Sequence, residues 1–74
     1  MVTSTEKRLF SERLKELCQE KGLPERGRQA TLKRVCGLSQ QSVSKWFNAE
    51  AIPEYEHCLK LCKYFSVNYE WLLT

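Results

Sequence analysis

Five polar side chains between residues 40 and 48 have types and spacing suited to hydrogen bonding along one helix face. This polar stripe consists of Gln40, Gln41, Ser44, Lys45 and Asn48. Residues 40, 44 and 48 are one helical turn apart, as are 41 and 45. Glutamine can pair with adenine N6 and N7, and lysine can reach guanine O6 or N7, in the major groove of DNA. The stripe therefore has base-reading chemistry, although an isolated pair of glutamines would more often be simply solvated.

The charges around the polar stripe favour a polyanionic ligand. The net charge is only +3, but residues 26–49 contain no acidic residue. All nine acidic residues lie before or after this acid-free segment, whereas an ordinary solvated surface would mix both signs. We therefore expect nucleic acid to meet the basic side chains of the segment, which are Arg26, Arg28, Lys33, Arg34 and Lys45.

The four cysteines and the single histidine could instead form a disulfide or a metal site. There is no C-x-x-C motif, and Cys58 and Cys62 lie four residues apart on one expected helix, too far along it for easy bridging. His57 and Cys58 are adjacent, so they point in different directions on that helix. We expect no metal and no cofactor, and four buried thiols that act as small hydrophobes: Cys18, Cys36, Cys58 and Cys62.

Enzymatic chemistry is not expected. His57 has no recognisable nucleophile or carboxylate partners, and the chain has no glycine-rich phosphate loop. No apolar run approaches the roughly 20 residues of a membrane span, and the N-terminus lacks the apolar core of a signal peptide. We therefore predict a cytoplasmic protein that is not an enzyme and has no membrane partner.

The 74 residues are enough for one small domain with a single core. Few glycines and prolines favour long regular segments, and the apolar periodicity predicts helices throughout. In the first helix, Thr3 and Glu6 match a capping box, and Gly22 suits a left-handed C-cap. Residues 23–27 form a loop. The apolar face of this helix is expected to contain Leu9, Phe10, Leu14, Leu17 and Cys18.

Four shorter helices are predicted after the loop. The second covers residues 28–36, and the third runs from Gln40 to about Asn48 with Ser39 as its N-cap. Pro53 is placed in the first turn of the fourth helix, which ends near Phe65. Asn68 would cap a fifth over residues 69–73. The residues expected to face the core are Leu32, Val35, Cys36, Val43, Trp46, Phe47, Leu59, Cys62 and Phe65, with either Trp71 or Leu72 closing it.

The second and third helices meet across a three-residue turn that begins at Gly37. A turn this tight needs a positive φ at its first residue, which glycine adopts at little cost. We expect the two helices to be locked together by Leu32, Cys36, Leu38, Val43 and Trp46. The pattern is that of a helix-turn-helix.

Residues 9–73 resemble the N-terminal domain of lambda-type phage repressors and Cro proteins, within the wider Xre-like helix-turn-helix family. The resemblance implies an all-α, compact five-helix, lambda-repressor-like fold. The residues that carry it are Arg13-Leu14, Gly22-Leu23, Gln29 with Leu32, Gly37-Leu38-Ser39-Gln40, Val43-Ser44-Lys45-Trp46 and the closing residues 67–73.

The resemblance also implies roles for individual residues. Gln40 and Gln41 would read bases, while Ser44 and Lys45 would read a further base or touch a flanking phosphate. At the start of the second helix, Gln29 would touch a phosphate and buttress Gln40. The remaining expected phosphate contacts are Asn48 and Ser39, together with Arg26 and Arg28, which are assigned from their position alone.

Three departures from the family pattern bear on these expectations. Lys33 stands where a small alanine usually packs between the second and third helices, so its stem is expected to lie along that interface. Ala49 stands where glycine commonly follows the third helix, so we expect Asn48 to adopt the left-handed conformation. The loop over residues 23–28 is longer than usual.

As a whole, the sequence predicts the head of a phage or prophage repressor that binds a pseudo-palindromic operator as a homodimer. Half-sites would lie about 34 Å apart, one recognition helix in each. The helix-turn-helix would occupy residues 28–48 of a single domain, 1–74, and a C-terminal dimerisation domain would be absent from this chain. The alternatives are a small, complete regulator of Cro or antitoxin type and a helical protein-interaction module.

Overall fold

The computed structural model describes residues 4–73 and contains five α-helices in that range. No residue of this range is in a strand, so the prediction of an all-α fold with five helices is confirmed. The proposed capping residue Thr3 lies outside the described residues. The helices are α1 (Ser4–Glu20), α2 (Arg28–Cys36), α3 (Gln40–Phe47), α4 (Tyr55–Phe65) and α5 (Tyr69–Leu73).

The turn between α2 and α3 follows from Gly37 and Ser39. Gly37 has φ +68°, and its N–H donates to the carbonyl of Lys33 at 2.8 Å, so the predicted left-handed end of α2 is confirmed. Ser39 is extended, and its Oγ accepts the N–H of Ser42 at 3.3 Å. The predicted N-cap of α3 is therefore confirmed, and the helix starts at Gln40.

The beginning of α4 differs from the prediction. The first helical hydrogen bonds run from the N–H groups of His57 and Cys58 to the carbonyl of Glu54, which makes Glu54 the N-cap. Pro53 therefore precedes the cap, and its predicted place in the first turn is wrong. The physical reason is that Pro53 is buried in the loop, where its carbonyl accepts the Cys58 thiol at 3.4 Å.

The end of α3 also corrects a prediction. Asn48 has φ −93°, whereas Ala49 has φ +59° and takes the left-handed position itself. The N–H of Glu50 bonds to the carbonyl of Lys45 at 2.9 Å, and that of Ala49 to Trp46 at 3.4 Å. This pair of bonds is a Schellman motif, which requires the left-handed residue one position after the C-cap Asn48.

Replacing Ala49 with Gly is expected to raise the free energy of unfolding by about 1 kcal/mol, because the left-handed conformation strains any residue that has a Cβ. Urea denaturation followed by circular dichroism would measure the change. Ala30→Gly, at an exposed position inside α2, is the matched control and should lower stability by about 1 kcal/mol. A loss of stability in Ala49→Gly would contradict the argument.

The core lies where all five helices meet. Leu72 is fully buried and closes it, whereas Trp71 is 41% exposed, which settles the alternative left open by the sequence. Val35 and Phe65 are only partly buried. The buried residues of the core cluster are Phe10, Leu14, Leu17, Cys18, Leu32, Cys36, Val43, Trp46, Phe47, Leu61, Cys62 and Leu72.

Two leucines expected in the core are exposed instead. Leu9 is 40% exposed because the adjacent Phe10 takes the inward position on α1. Leu59 is 41% exposed because α4 turns Cys58, Leu61 and Cys62 towards the core. In both helices the inward face is narrower than the apolar pattern suggested, and apolar surface remains uncovered.

Polar contacts join α1 to the other helices. The buried Ser11 donates from Oγ to the carbonyl of Phe47 at 2.8 Å, a bond that the sequence did not predict. Arg13 donates to the carbonyl of Trp71, and its guanidinium lies 5.4 Å from the centre of the Trp71 ring. Directly after α1, the Lys21 ammonium donates to the carbonyl of Tyr64 at 3.1 Å. These contacts fix α1 against the end of α3 and against α4 and α5.

All four cysteines are buried free thiols, as the sequence predicts. Burial raises the pKa of each, and the pKa of Cys58 reaches about 11, with the neighbouring thiols Cys62 and Cys36 adding to the shift. The folded state therefore favours the neutral thiol over the thiolate.

The free energy of unfolding is expected to fall as the pH rises above about 9. A folded-state pKa above the unfolded value stabilises the protein below the unfolded pKa of 9.0, and that contribution is lost as the pH passes through the folded value, about 11 for Cys58. Urea midpoints measured at neutral pH and between pH 9 and 11 would show the fall. It should be smaller in Cys58→Ala, and an equal fall in this variant would contradict the assignment to the thiol.

Candidate nucleic-acid interface

Helix α3 buries one face and exposes the other, which presents the first members of the polar stripe. Val43, Trp46 and Phe47 are buried against α1 and α2. Gln40 and Gln41, the first two residues of the helix, are exposed. Because residues 43, 46 and 47 lie inward, the glutamines and Lys45 form an outer edge of the domain. These three side chains are uncharged or basic.

Ser39 and Ser42 shape the entry to α3. Besides accepting the N–H of Ser42, the Ser39 hydroxyl shares a hydrogen bond with the Ser42 hydroxyl at 3.2 Å. The N–H groups of Gln40 and Gln41 lie in the first turn, where no intrahelical acceptor exists. They add a partial positive charge beside the two exposed amides, which suits a phosphate or a base acceptor.

A hydrogen bond across the helix-turn-helix fixes one member of the polar stripe. The Ser44 hydroxyl donates to Oε1 of Gln29 at 2.7 Å, and both side chains are partly buried. The resemblance implied that Gln29 buttresses Gln40. The side chain that Gln29 holds is instead Ser44, one turn further along α3, which places the beginning of α2 against the middle of α3.

The first-turn N–H groups of α2 receive no side-chain cap. Gly27 precedes the helix with φ +96° and provides no side-chain cap. Gln29 lies in this turn, where the helix dipole and free N–H groups favour an anion. The bond to Ser44 through Oε1 leaves the Nε2 donors of Gln29 for a ligand. This geometry is compatible with the predicted phosphate contact.

The two arginines near this turn differ in their surroundings. Arg26 is exposed in the loop. Arg28 is partly buried, and its guanidinium donates to the carbonyls of Leu23 at 3.0 Å and Pro24 at 3.3 Å. Arg28 therefore stabilises the long loop before α2, a role that the sequence did not indicate. Its contact with phosphate stays a prediction.

Lys33 does not disturb the packing of α2 on α3. Its side chain is exposed, whereas Leu32 and Cys36 on the same helix are the residues buried in the core. Arg34 and Lys45 are also exposed, so basic side chains border the outer edge of the helix-turn-helix. Asn48 is exposed as the C-cap of α3. Lys33, Arg34 and Lys45 add positive charge around the polar stripe, and no acidic residue within residues 26–49 compensates for it.

The interface offers hydrogen bonds and positive charge. Within residues 4–73, no group of three or more His, Cys, Asp or Glu could hold a metal ion. Over the same range, no helix has both the length and the apolar character needed to cross a membrane.

Sequence reasoning missed the bond between Gln29 and Ser44 and the one between Ser11 and Phe47. The first pair is 15 residues apart and the second 36, so no local spacing connects them. The only available signal was a small polar residue, Ser11, among the apolar positions of α1.

Comparisons with known proteins agree with this geometry. The helix-turn-helix family model matches residues 14–72, from the middle of α1 to α5. Over 53 residues the chain is 45% identical to the 26 kDa repressor protein of Escherichia phage HK022. That match covers 72% of this chain but only 23% of the relative. No solved structure matches the chain significantly.

Proposed function

The chain belongs to the helix-turn-helix family, and on that premise we propose that it is the DNA-binding head of a phage or prophage repressor. The observation that carries the proposal is the acid-free outer edge of α3, where Gln40, Gln41 and Lys45 are exposed beside free first-turn N–H groups. The similarity to a phage repressor supports the same conclusion. Such a protein would act in the cytoplasm of the host cell, where its operator lies.

The side chains divide into base readers and phosphate contacts. Gln40 and Gln41 insert first into the major groove, and Lys45 reads a base one turn further along α3. The Ser44 hydroxyl donates its hydrogen bond to Gln29, so its oxygen would meet the DNA as an acceptor. Phosphates are held by Gln29 and by the flanking polar and basic residues Arg26, Arg28, Ser39 and Asn48.

The dimensions of the domain suit one operator half-site. Its principal extents are 30 × 24 × 20 Å, so two copies side by side can place their recognition helices about 34 Å apart. A homodimer would therefore read a pseudo-palindrome from one face of the duplex. In the full repressor, a further C-terminal domain would strengthen that dimer, which accords with the greater length of the phage relative.

Selection of bound sequences from a random duplex pool tests the proposal directly. We expect an enriched half-site that recurs as an inverted repeat at a fixed spacing of about one helical turn. Affinity for duplex should also fall with salt, with a log–log slope of about −0.9 for each phosphate contacted. Affinity that stays flat from low to moderate salt would overturn DNA binding and favour a protein-interaction module.

A further inference from the structure

The C-terminal end of α3 receives a hydrogen bond from another helix. The N–H groups of residues 48–50 donate to the carbonyls of residues 44–46, which closes the last turn of α3. The next carbonyl, that of Phe47, is not reached by these bonds. A carbonyl at a helix end has no intrahelical donor and needs a partner from elsewhere. Ser11 of α1 provides that partner from its Oγ at 2.8 Å, across 36 positions of the chain.

Ser11 lies in the core, at the contact between α1 and α3. It is 2% exposed, and among residues 4–73 it is the only buried polar residue. Helical spacing puts it on the same inward face as Leu14 and Cys18, which are fully buried. Burial of a hydroxyl costs free energy unless the hydroxyl makes a hydrogen bond. The bond to the Phe47 carbonyl therefore accounts for a serine at this core position.

The Phe47 carbonyl belongs to the peptide unit that leads into Asn48. Because a peptide unit is planar, its C=O and the N–H of Asn48 move together. That N–H donates to the carbonyl of Ser44 at 3.0 Å, so the unit is held on both sides. Asn48 is exposed directly after the unit and Lys45 two residues before it. The Ser11 hydroxyl is thus bonded to the backbone between two side chains that are assigned to DNA contact.

We propose that Ser11 is a positioning residue for DNA binding, which sets the place where Asn48 and Lys45 meet the duplex from a helix that carries none of the expected DNA contacts. The proposal rests on the operator binding proposed above. The middle of α3 is held separately, by the bond from Ser44 to α2. Without the Ser11 hydroxyl, the end of α3 shifts about that bond, whereas the two glutamines at its start keep their places.

Amide hydrogen exchange of the chain without DNA tests the hold on α3. In Ser11→Ala, the N–H groups of Ala49 and Glu50 are expected to exchange at least about tenfold faster than in the wild type. The reference is the N–H of Val67, which closes the end of α4 by a similar bond to the carbonyl of Cys62. It should change less. Equal acceleration at both helix ends would show that Ser11 supports the whole fold without a particular hold on α3, and would overturn the proposal.

Operator affinity tests the consequence for DNA, at a temperature where circular dichroism shows every variant to be folded. Ser11→Ala is expected to weaken binding by roughly threefold to tenfold. Cys18→Ala is the matched control, because it shortens a fully buried side chain of the same helix and leaves the Ser11 bond in place. It should bind as tightly as the wild type. Equal losses in the two variants would show that reduced stability weakens binding, whatever the hydroxyl does.

Ser11→Cys is the conservative variant, since its thiol is a weak donor of similar size. It is expected to lie between the wild type and Ser11→Ala in both measurements, and it provides the same tests if Ser11→Ala does not fold. Binding weaker than that of a folded Ser11→Ala, or faster exchange that is equal at the ends of α3 and α4, would contradict a role for the hydrogen bond.

A double-mutant cycle locates the effect along α3. Asn48→Ala is expected to cost less affinity in the Ser11→Ala background than in the wild type, because that contact is already displaced. Gln41→Ala should cost the same in both backgrounds, since the start of α3 keeps its place. Strict additivity of Ser11→Ala with both substitutions would refute the positioning role.

The same measurements separate this proposal from the proposed function. A wild-type chain that prefers no sequence in the duplex pool would refute operator binding itself. A wild-type chain that binds its operator, together with a Ser11→Ala variant that binds it equally well, would refute only the positioning role of Ser11.

Discussion

Replacing Trp46 with Ala is expected to lower the free energy of unfolding by about 3–5 kcal/mol. Trp46 is only 3% exposed, so its removal loses the transfer free energy of the ring and leaves a cavity behind α3. A domain of 74 residues has a total stability of roughly 4–11 kcal/mol, so this loss removes much of it. Urea denaturation followed by far-ultraviolet circular dichroism would measure the loss. We expect a lower urea midpoint, or a variant that is unfolded even without denaturant.

Trp71→Ala provides the matched control for Trp46→Ala. The same side chain is removed, but Trp71 is 41% exposed, and its ring lies against the Arg13 guanidinium. Its loss should cost no more than about 1 kcal/mol. Equal losses in the two variants would show that Trp46 does not anchor the helix-turn-helix in the core.

Replacing Gln40 or Gln41 with Ala is expected to weaken binding to the selected operator by about 1–3 kcal/mol, which is roughly 5- to 150-fold in Kd. Each amide is exposed on the first turn of α3 and can make a bidentate contact with adenine. The substitution should therefore also relax base preference at one position of each half-site. Titration of duplexes that carry each of the four bases at that position would measure both effects.

Gln19→Ala is the control for the glutamine variants, because Gln19 is exposed on α1 beside Glu12 and Glu16. We expect it to leave affinity and base preference unchanged. A loss in Gln40→Ala that is equal on operator and on random duplex would show that this amide holds the backbone and does not read a base.

Local signals were sufficient where one residue decides the backbone. Gly37 could be placed because a tight turn needs a positive φ, and Ser39 because a hydroxyl satisfies a free N–H at a helix start. Together they predicted the bounds of α2 and the start of α3 correctly. The apolar spacing of α3 likewise predicted which residues face inward, and hence which polar side chains remain outside.

The errors arose where tertiary contacts decide between similar local choices. Asn tolerates the left-handed conformation better than Ala. The Schellman hydrogen bonds from residues 49 and 50 nevertheless require that conformation at Ala49. Proline is common in the first turn of a helix, but burial of Pro53 holds it in the loop before α4. Gln29 could have faced several polar residues of α3, and only the crossing of the two helices selects Ser44. None of these outcomes depends on sequence spacing alone.

Two hydrogen bonds hold helix α3 from different directions. The Ser44 hydroxyl of α3 donates to Gln29 on α2, and the Ser11 hydroxyl of α1 donates to the carbonyl of Phe47, the last residue of α3. Together with the burial of Val43, Trp46 and Phe47, these bonds leave the backbone of α3 little freedom of its own to lose. Association with a rigid duplex then involves two preformed surfaces, and ordering entropy opposes it mainly through the exposed amide and lysine side chains. The helix behaves as a prearranged template, and its selectivity comes from a few side-chain rotamers.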